Sequence, residues 1–389
     1  MPKAKTSPEP GFAGVLADVS TQFKLNIGPL STVAEKVCGL PTGNLTIDYL
    51  TGVGGLPLGR STELFGQPSS GKTTTALQTA AALQQQITGH RLDSRILYLD
   101  FEHALDPDYS AALGLDVEHP SFLLAQPGNL EQGCEAALKL IDTGIIRLVI
   151  FDSVASMAPI SRIEGEFDQR TAAMNKARLM SGLMLQLTPL LHHHDCAAVF
   201  INHLYQQIDM TGRPGIPPTE DTPGGRGLKF YSSLRLRFAQ LKVIHGRADD
   251  VITNEVDDRA PIGIVTRVKV VKNKVGKSAG READVRITTG RGFDNTWSAL
   301  KILCAHRKVQ PNGSWYYFDK DPILTGEDMT RSNTGRPCLQ GEHAVLEYAA
   351  NHPQWNDALV ALARSTIAAD GLPERNEPDG VPSLIDDDA

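Results

Sequence analysis

Residues 66–73 have the types and spacing of a phosphate-binding loop, with the sequence Gly-Gln-Pro-Ser-Ser-Gly-Lys-Thr. The segment fits the pattern G-x-x-x-x-G-K-[ST] at every position that the pattern fixes. Its two glycines let backbone N–H groups turn toward a β-phosphate, and the lysine ammonium bridges the β- and γ-phosphates. The threonine hydroxyl is a ligand for Mg²⁺. We therefore expect a nucleoside triphosphate to contact Gly66, Gln67, Pro68, Ser69, Ser70, Gly71, Lys72, Thr73 and Thr74.

Two carboxylates are candidates for the chemistry that such a loop requires. Asp152 ends the apolar run 148–152, where a second magnesium ligand is expected to act through water. Ser153 follows it, so a glutamate directly after this aspartate is excluded as the base. Glu102 follows the run 95–100, and the carboxyl ends of parallel strands converge on the ligand crevice. Glu102 is therefore the candidate general base. The plain alternatives are a strand-ending aspartate and a helix-capping glutamate.

Short apolar strands and helical stretches alternate around these residues. Strands are expected at 62–65, 95–100, 122–125, 148–152 and 197–202, and helices at 74–85, 131–143 and 171–192. This alternation predicts a mostly parallel sheet with helices on both faces. Patterns at 234–238, 264–271 and 283–288 then predict antiparallel strands. Helices are expected again at 343–351 and 355–369, and a long Gly- and Pro-rich loop at 212–227.

The composition is that of a soluble globular protein with room for about two or three domains. Of the 389 residues, 41% are hydrophobic and 21% are charged. No apolar run approaches the ~20 residues that cross a bilayer, which excludes a membrane protein. The five cysteines lie far apart, which predicts free thiols in a reducing, cytoplasmic compartment. Histidines 192–194 end a helical pattern before a buried strand, so a metal site is the less favoured interpretation.

Charge is distributed unevenly along the chain. The net charge of −7 argues weakly against nucleic-acid binding. Seven acids and one base lie in 370–389, and an acidic tail that contains Pro and Gly is usually disordered. Six bases and no acid lie in 265–281. This basic run is either a solvated strand face or a site for a negatively charged group.

Six segments, in matching order and spacing, resemble those of the RecA recombinases. They span about residues 45–290 and read GQPSSGKTTT (66–75), LDFEHALDPDYSAALGLD (99–116), VIFDSVASMAP (149–159), RIEGEFD (162–168), GGRGLKFYSSLRLR (224–237) and TRVKVVKNK (266–274). The EHALDP and KVVKNK blocks separate this family from hexameric helicases, which share its core fold. The resemblance implies an α/β fold with a RecA-type phosphate-loop core, and ATP and Mg²⁺ as cofactors.

The resemblance also implies roles at the nucleotide. Asp106 and Tyr109 would hold the adenine, Tyr109 by stacking. Phe230 would link the ATP state to the subunit interface, unless it is a plain core aromatic. A lysine pair in the basic run would reach the γ-phosphate of the neighbouring subunit and stabilise the transferring phosphoryl group, as an arginine finger does. The residues expected to act in catalysis are Glu102, Lys72, Lys272, Lys274 and His203.

Two loops of the family face DNA along a filament axis. They correspond here to about 158–170 and 204–226. The residues expected to contact DNA are Arg162, Gly165, Arg170, Arg178, Gly224, Gly225 and Arg226.

The chain departs from the bacterial members of this family at one sensor position. Those members carry Asn-Gln at the end of the strand 197–202, and the glutamine senses the γ-phosphate. Here the pair is Asn202 and His203. Histidine also donates to phosphate oxygens and titrates near neutrality. A histidine here resembles phage-encoded recombinases of the UvsX type, so the expected setting is a bacterial cell or a phage-infected host, at the nucleoid.

The resemblance divides the chain into four parts. Residues 1–45 are expected to be an N-terminal oligomerisation element, and residues 46–291 the ATPase core with the DNA-binding loops. Residues 292–370 are expected to form a small C-terminal α(+β) domain, before an acidic disordered tail at 371–389.

The function that the resemblance implies is a DNA-dependent ATPase. It would form helical filaments on single-stranded DNA and pair them with double-stranded DNA in strand exchange. Single-strand-binding and loader proteins are expected partners. The alternatives are a hexameric ring motor and a filament scaffold that binds ATP without useful turnover.

Overall fold

The computed structural model describes residues 10–23, 25, 27–29, 37–90, 93–163, 169–207, 219–245, 261–276, 278–326 and 328–369. The chain divides into two compact units, Met1–Val37 and Cys38–Ala389. The first contains helix α1 (Pro10–Phe23), which exposes Phe12 and Val15. The predicted boundaries at residues 45, 291 and 370 stay predictions.

The second unit contains the sheet and the helices that position the site. Its strands are β1 (Gly39–Leu40), β2 (Leu56–Pro57), β3 (Ser61–Gly66), β4 (Arg95–Asp100), β5 (Phe122–Ala125), β6 (Ile146–Asp152), β7 (Ala197–His203), β8 (Tyr205–Gln207), β9 (Thr219–Asp221), β10 (Leu234–His245), β11 (Pro261–Asn273), β12 (Glu282–Thr288), β13 (Gly292–Phe293), β14 (Gln310–Asn312), β15 (Trp315–Tyr317) and β16 (Cys338–Gln340). Its helices are α2 (Leu45–Thr51), α3 (Lys72–His90), α4 (Pro107–Ala112), α5 (Leu130–Ile141), α6 (Ile160–Ile163), α7 (Gln169–His193), α8 (Gly225–Tyr231), α9 (Asn295–Ala305), α10 (Gly341–Asn351) and α11 (Pro353–Ala369).

A nine-stranded sheet forms the centre of this unit, in the order β13-β12-β11-β10-β3-β7-β6-β4-β5. The strands from β10 to β5 are parallel, and β10 to β13 are antiparallel. The predicted α/β fold with a mostly parallel sheet is therefore confirmed. Since β3, β4, β6 and β7 are parallel, their carboxyl ends meet along one edge. That edge carries the phosphate loop, Glu102, Asp152 and His203.

Burial explains why these strands read as continuous apolar runs. Every residue of β3 is buried, and so are all but one in each of β4, β6 and β7. One core cluster joins the sheet to α3, and a second joins its other face to α5 and α7. Parallel strands covered on both faces have no solvent side on which to place polar residues.

The predicted helices 343–351 and 355–369 correspond to α10 and α11. They share a core with α9, and β14, β15 and β16 form a small sheet nearby. Each of these strands has three residues, too few for a period-two pattern to show.

The predicted loop 212–227 extends too far at its C-terminal end, because its last three residues belong to α8, which begins at Gly225. Residues 208–218 lie outside the described part of the chain. Within the described residues, no helix is long and apolar enough to cross a membrane.

Candidate nucleotide site and nucleic-acid interface

The phosphate loop joins the end of β3 to the first residue of α3. A Cβ on Gly66 would lie 2.1 Å from the carbonyl oxygen of Phe238, so the neighbouring strand admits only glycine there. Gly71 has a φ of 94°, in the left-handed region that glycine enters without strain. The N–H groups at the start of α3 are left for an anion. The predicted phosphate ligands thus form one continuous loop at a helix N-terminus.

Lys72 lies inside the curve of this loop. Its Nζ donates to the carbonyl oxygen of Gln67 at 2.6 Å and to Ser70 Oγ at 3.4 Å. Burial lowers the pKa of Lys72 to about 8, against the opposing attraction of Asp152 and Glu102. An ammonium held there against its own desolvation is placed for an anionic ligand.

Thr73 and Asp152 meet across the loop and β6. Thr73 Oγ1 donates to Asp152 Oδ2 at 3.3 Å, and Tyr98 Oη donates to the same oxygen at 2.6 Å. Burial raises the pKa of Asp152 to about 6, and the carboxylates of Glu102 and Asp100 add to this effect. Hydroxyl and carboxylate oxygens suit Mg²⁺, and a divalent cation would relieve the carboxylate repulsion.

Among the described residues, no group of three or more His, Cys, Asp or Glu could hold a metal ion by itself.

Glu102 sits in a cluster of hydrogen-bond donors between β4, β6 and β7. It accepts from Ser153 Oγ, from Ser156 Oγ at 3.3 Å and from His203 Nε2 at 3.2 Å. The hydrogen bond from His203 lowers the pKa of Glu102 to about 2, with Ser153 contributing in the same direction. The glutamate is therefore ionised at neutral pH, as a general base must be.

The two predicted adenine-binding residues lie at the start of α4. Asp106 is the N-cap of this helix and accepts from the backbone N–H groups of Asp108 and Tyr109. Tyr109 Oη is 2.7 Å from Thr74 Oγ1, which ties α4 to the first turn of α3. The structure thus brings Tyr109 to the phosphate-loop helix and gives Asp106 a capping role of its own.

Lys272 and Lys274 lie at the end of β11, near the amino ends of the parallel strands, whereas the phosphate loop follows the carboxyl end of β3. In the sheet register Lys272 pairs with Arg235, and Arg235 pairs with Glu63 near the start of β3. The loop begins at Gly66, at the opposite end of the same strand. Glu63, which is level with Lys272 in this register, is three positions before Gly66, a distance of about 10 Å along an extended strand. The lysine pair therefore lies near the amino ends of the parallel strands, and the nucleotide site of its own chain lies at their carboxyl ends.

This lysine pair instead contacts the end of α8. Lys272 Nζ donates to the carbonyl oxygens of Lys229 and Phe230, each at 2.7 Å, and Lys274 Nζ donates to Phe230 at 3.2 Å. Both ammonium groups also lie within 6 Å of the Phe230 ring centre, at 5.9 and 5.4 Å. Burial and the charge of Lys274 lower the pKa of Lys272 to about 8. Phe230 is 70% exposed, so the plain core-aromatic alternative is wrong.

The residues expected to contact DNA lie mainly on α6, α7 and α8. Arg162, Arg178 and Arg226 are exposed on these three helices. Gly224 and Gly225 form the N-terminal turn of α8, with φ of 94° and 72°. Gly165 lies outside the described residues, and so does the side chain of Arg170.

A buried polar network links β3 and β10 to β7 and to the start of α8. The sequence pattern did not reveal it. Glu63, fully buried on β3, accepts from Arg235 Nε at 2.5 Å and from Asn202 Nδ2 at 2.8 Å. Asn202 Nδ2 also donates to the carbonyl oxygen of Pro223 at 2.9 Å, just before α8. The only signal in the sequence is a glutamate inside the apolar strand STELFG, since a buried carboxylate needs partners.

Asp100 was missed in the same way. It accepts from the backbone N–H groups of Glu102 and Leu105, at 3.1 and 3.2 Å, and so shapes the turn that presents Glu102.

The fold and the site define a phosphate-loop nucleotide-binding α/β protein. Residues 16–294 match the family described as the RecA N-terminal domain. The chain is 36% identical to Protein RecA of Streptococcus gordonii over 331 residues, which are 85% of this chain and 77% of the relative. It is 37% identical to Protein RecA of Kineococcus radiotolerans over 294 residues, 75% of this chain and 77% of the relative. The chain belongs to the RecA family, and it is a RecA-type recombination and repair protein.

Proposed function

We propose that this protein is a DNA-dependent ATPase that forms helical filaments on single-stranded DNA and catalyses homologous pairing and strand exchange. One observation carries the proposal. The phosphate loop, Asp152 and Glu102 lie at the carboxyl ends of the parallel strands, and the lysine pair lies near their amino ends. A complete phosphoryl-transfer site then needs two copies of the chain in head-to-tail contact. Such contacts build an open helix when the rotation does not close.

In the proposed reaction Glu102 takes the proton of the attacking water, and Lys72 holds the β- and γ-phosphates. Thr73 and Asp152 would hold Mg²⁺, which supplies charge stabilisation at the phosphate oxygens. Lys272 and Lys274 of the neighbouring subunit stabilise the charge on the transferring phosphoryl group. Tyr109 and Asp106 would bind the adenine.

His203 supplies a link between the nucleotide and DNA. It contacts Glu102 at 3.2 Å, and its backbone N–H donates to Asn202 Oδ1 at 3.0 Å. When His203 turns to a γ-phosphate, Glu102 loses the donor that most lowers its pKa and becomes a stronger base. Asn202 in turn contacts Pro223, which lies in the second DNA loop. ATP binding would thus favour one arrangement of that loop, and hydrolysis would release it.

The lysine pair supplies a second link. Its ammonium groups satisfy carbonyls at the C-terminal end of α8, where a helix leaves them without partners. If these lysines moved to the γ-phosphate of a neighbouring subunit, the carbonyl groups at the C-terminal end of α8 would lose their hydrogen bonds. The same helix begins at Gly225, at the end of the second DNA loop.

The remaining parts of the chain have proposed roles too. Residues 1–45 would carry oligomerisation, supported by the exposed apolar side chains of α1. Residues 46–291 would be the ATPase core, and residues 292–370 would help to capture double-stranded DNA. Single-strand-binding and loader proteins are the proposed partners, and the nucleoid is the proposed location.

Electron microscopy separates this proposal from its alternatives. The protein is imaged with single-stranded DNA, Mg²⁺ and a slowly hydrolysed ATP analogue, while ATP turnover is measured with and without DNA. Open filaments and DNA-stimulated turnover are expected. Closed rings would favour a ring motor, and filaments without turnover would favour a scaffold. A protein that stays monomeric under these conditions would contradict the proposal.

Two inactive variants are expected to restore activity when mixed. Lys72→Ala lacks a working phosphate loop but keeps the lysine pair. The double variant Lys272→Ala, Lys274→Ala keeps the phosphate loop but lacks the lysine pair. In an equal mixture about a quarter of head-to-tail junctions join a sound loop to a sound lysine pair. We expect about that fraction of the parental ATPase rate. Each variant measured alone is the control, and a mixture no more active than its components would place the lysines outside the site.

Removing residues 370–389 is expected to speed loading onto single-stranded DNA. The segment carries seven acids and one base, and it competes with phosphates for the cationic surface. The measurement is the rate of DNA binding at several salt concentrations. A full-length variant with the seven acids replaced by Asn or Gln separates charge from length. If neither the rate nor its salt dependence changes, the tail has no part in loading.

A further inference from the structure

The hydroxyl of Tyr98 lies deep in the sheet beside the proposed magnesium ligand. Tyr98 is on β4 and is 1% exposed. Its Oη donates to Asp152 Oδ2 at 2.6 Å, the shortest of the hydrogen bonds described above for that carboxylate. A tyrosine hydroxyl buried in a strand must find an acceptor, and here the acceptor is a carboxylate of the site.

The sheet register explains why these two side chains meet. Tyr98 pairs with Ile150 on the neighbouring parallel strand, so Asp152 lies two residues further along on the same face. A long aromatic side chain reaches such a diagonal neighbour. The Tyr98 ring also packs against Phe122, with ring centres 6.1 Å apart, which limits where the hydroxyl can go. The position of Oη is therefore set by the core.

Two donors converge on one oxygen of the carboxylate. Thr73 Oγ1 also donates to Asp152 Oδ2, at 3.3 Å. Among the described residues, none donates a hydrogen bond to Asp152 Oδ1. When one carboxylate oxygen is held by the protein, the other has a defined direction for a water or a cation. Partners that orient a metal-binding side chain in this way typically change metal affinity or activity by about 10–100-fold when they are lost.

We propose that Tyr98 is a positioning residue for magnesium: its hydroxyl holds Oδ2 of Asp152, so that Oδ1 would be left for the ion or for a water bound to it. The proposal rests on the proposed nucleotide site, and it adds a residue that the phosphate-loop pattern does not contain. Tyr98 acts through Asp152 and does not touch the nucleotide.

The test is the Mg²⁺ dependence of binding of a fluorescent, slowly hydrolysed ATP analogue to the full chain without DNA. Tyr98→Phe keeps the ring and removes only the hydroxyl. We expect the Mg²⁺ concentration for half-maximal binding to rise about tenfold. Binding in excess chelator should be unchanged. The matched control is Tyr348→Phe, which removes a tyrosine hydroxyl bonded to Asp328 at 2.8 Å in the C-terminal part of the chain.

A double-mutant cycle distinguishes positioning from a general effect on the fold. If Tyr98 acts through Asp152, adding Tyr98→Phe to Asp152→Asn should leave the Mg²⁺ requirement of the single Asp152 variant unchanged. A further rise in that background, or an unchanged or lower requirement in Tyr98→Phe alone, would overturn the inference. If the parental chain itself shows no Mg²⁺-dependent binding, the proposed nucleotide site fails instead.

Discussion

Replacing Glu102 by glutamine is expected to lower ATP hydrolysis by about 10²–10⁴-fold while nucleotide and DNA binding persist. Glutamine keeps the size of the side chain and one acceptor oxygen for Ser153, Ser156 and His203. It cannot take a proton from water, so only the chemical step is affected. The measurement is single-turnover phosphate release, beside equilibrium binding of ATP and single-stranded DNA.

The matched control for this variant is Glu118→Gln, which makes the same substitution at an exposed glutamate outside the site. Its hydrolysis rate should equal that of the parental protein. A Glu102→Gln protein that hydrolyses ATP at the parental rate would remove Glu102 from the mechanism. Loss of nucleotide binding would instead assign Glu102 to the binding of the ligand.

Replacing Lys72 by alanine is expected to abolish nucleotide-dependent DNA binding. Truncating one partner of a buried charge pair typically costs about 2–5 kcal/mol, which is at least about 30-fold in nucleotide affinity. In the folded chain without nucleotide, burial disfavours this ammonium and lowers its pKa to about 8. Thermal stability without nucleotide should therefore be unchanged or slightly higher.

The control for the lysine variant is Lys139→Ala, in the last turn of α5 and exposed. Nucleotide affinity is measured by equilibrium titration, and DNA binding with and without the ATP analogue. If the Lys72 variant still turns over ATP at the parental rate, the phosphate-loop assignment is wrong.

Local spacing predicted that the phosphate loop, Asp152 and Glu102 would lie close together. The loop 66–73, Asp152 and Glu102 each follow a short apolar strand, and a parallel sheet brings such strand ends together. The structure places all three within one cluster of hydrogen bonds and charges. Their proposed roles still await experiment.

The contacts behind that cluster could not be predicted in the same way. Tyr98 and Glu63 lie in strands whose pattern signals only burial, and Arg235 lies in a strand whose alternating pattern signals one buried face. Their partners are 54 and 172 residues away along the chain, in strands that neighbour them only once the sheet is formed. The period of a sequence predicts which face is buried, but not which polar atoms meet there.

The separation of the lysine pair from the phosphate loop gives any filament of these subunits unequal ends. A row of n copies would contain n − 1 complete ATP sites, because one terminal copy offers a loop without lysines and the other offers lysines without a loop. The terminal copy whose loop lacks lysines would then bind nucleotide without turning it over, while the loop of every other copy would lie in a complete site. Growth and shortening should therefore differ between the two ends. ATP turnover per subunit should rise with filament length and level off when n − 1 is close to n.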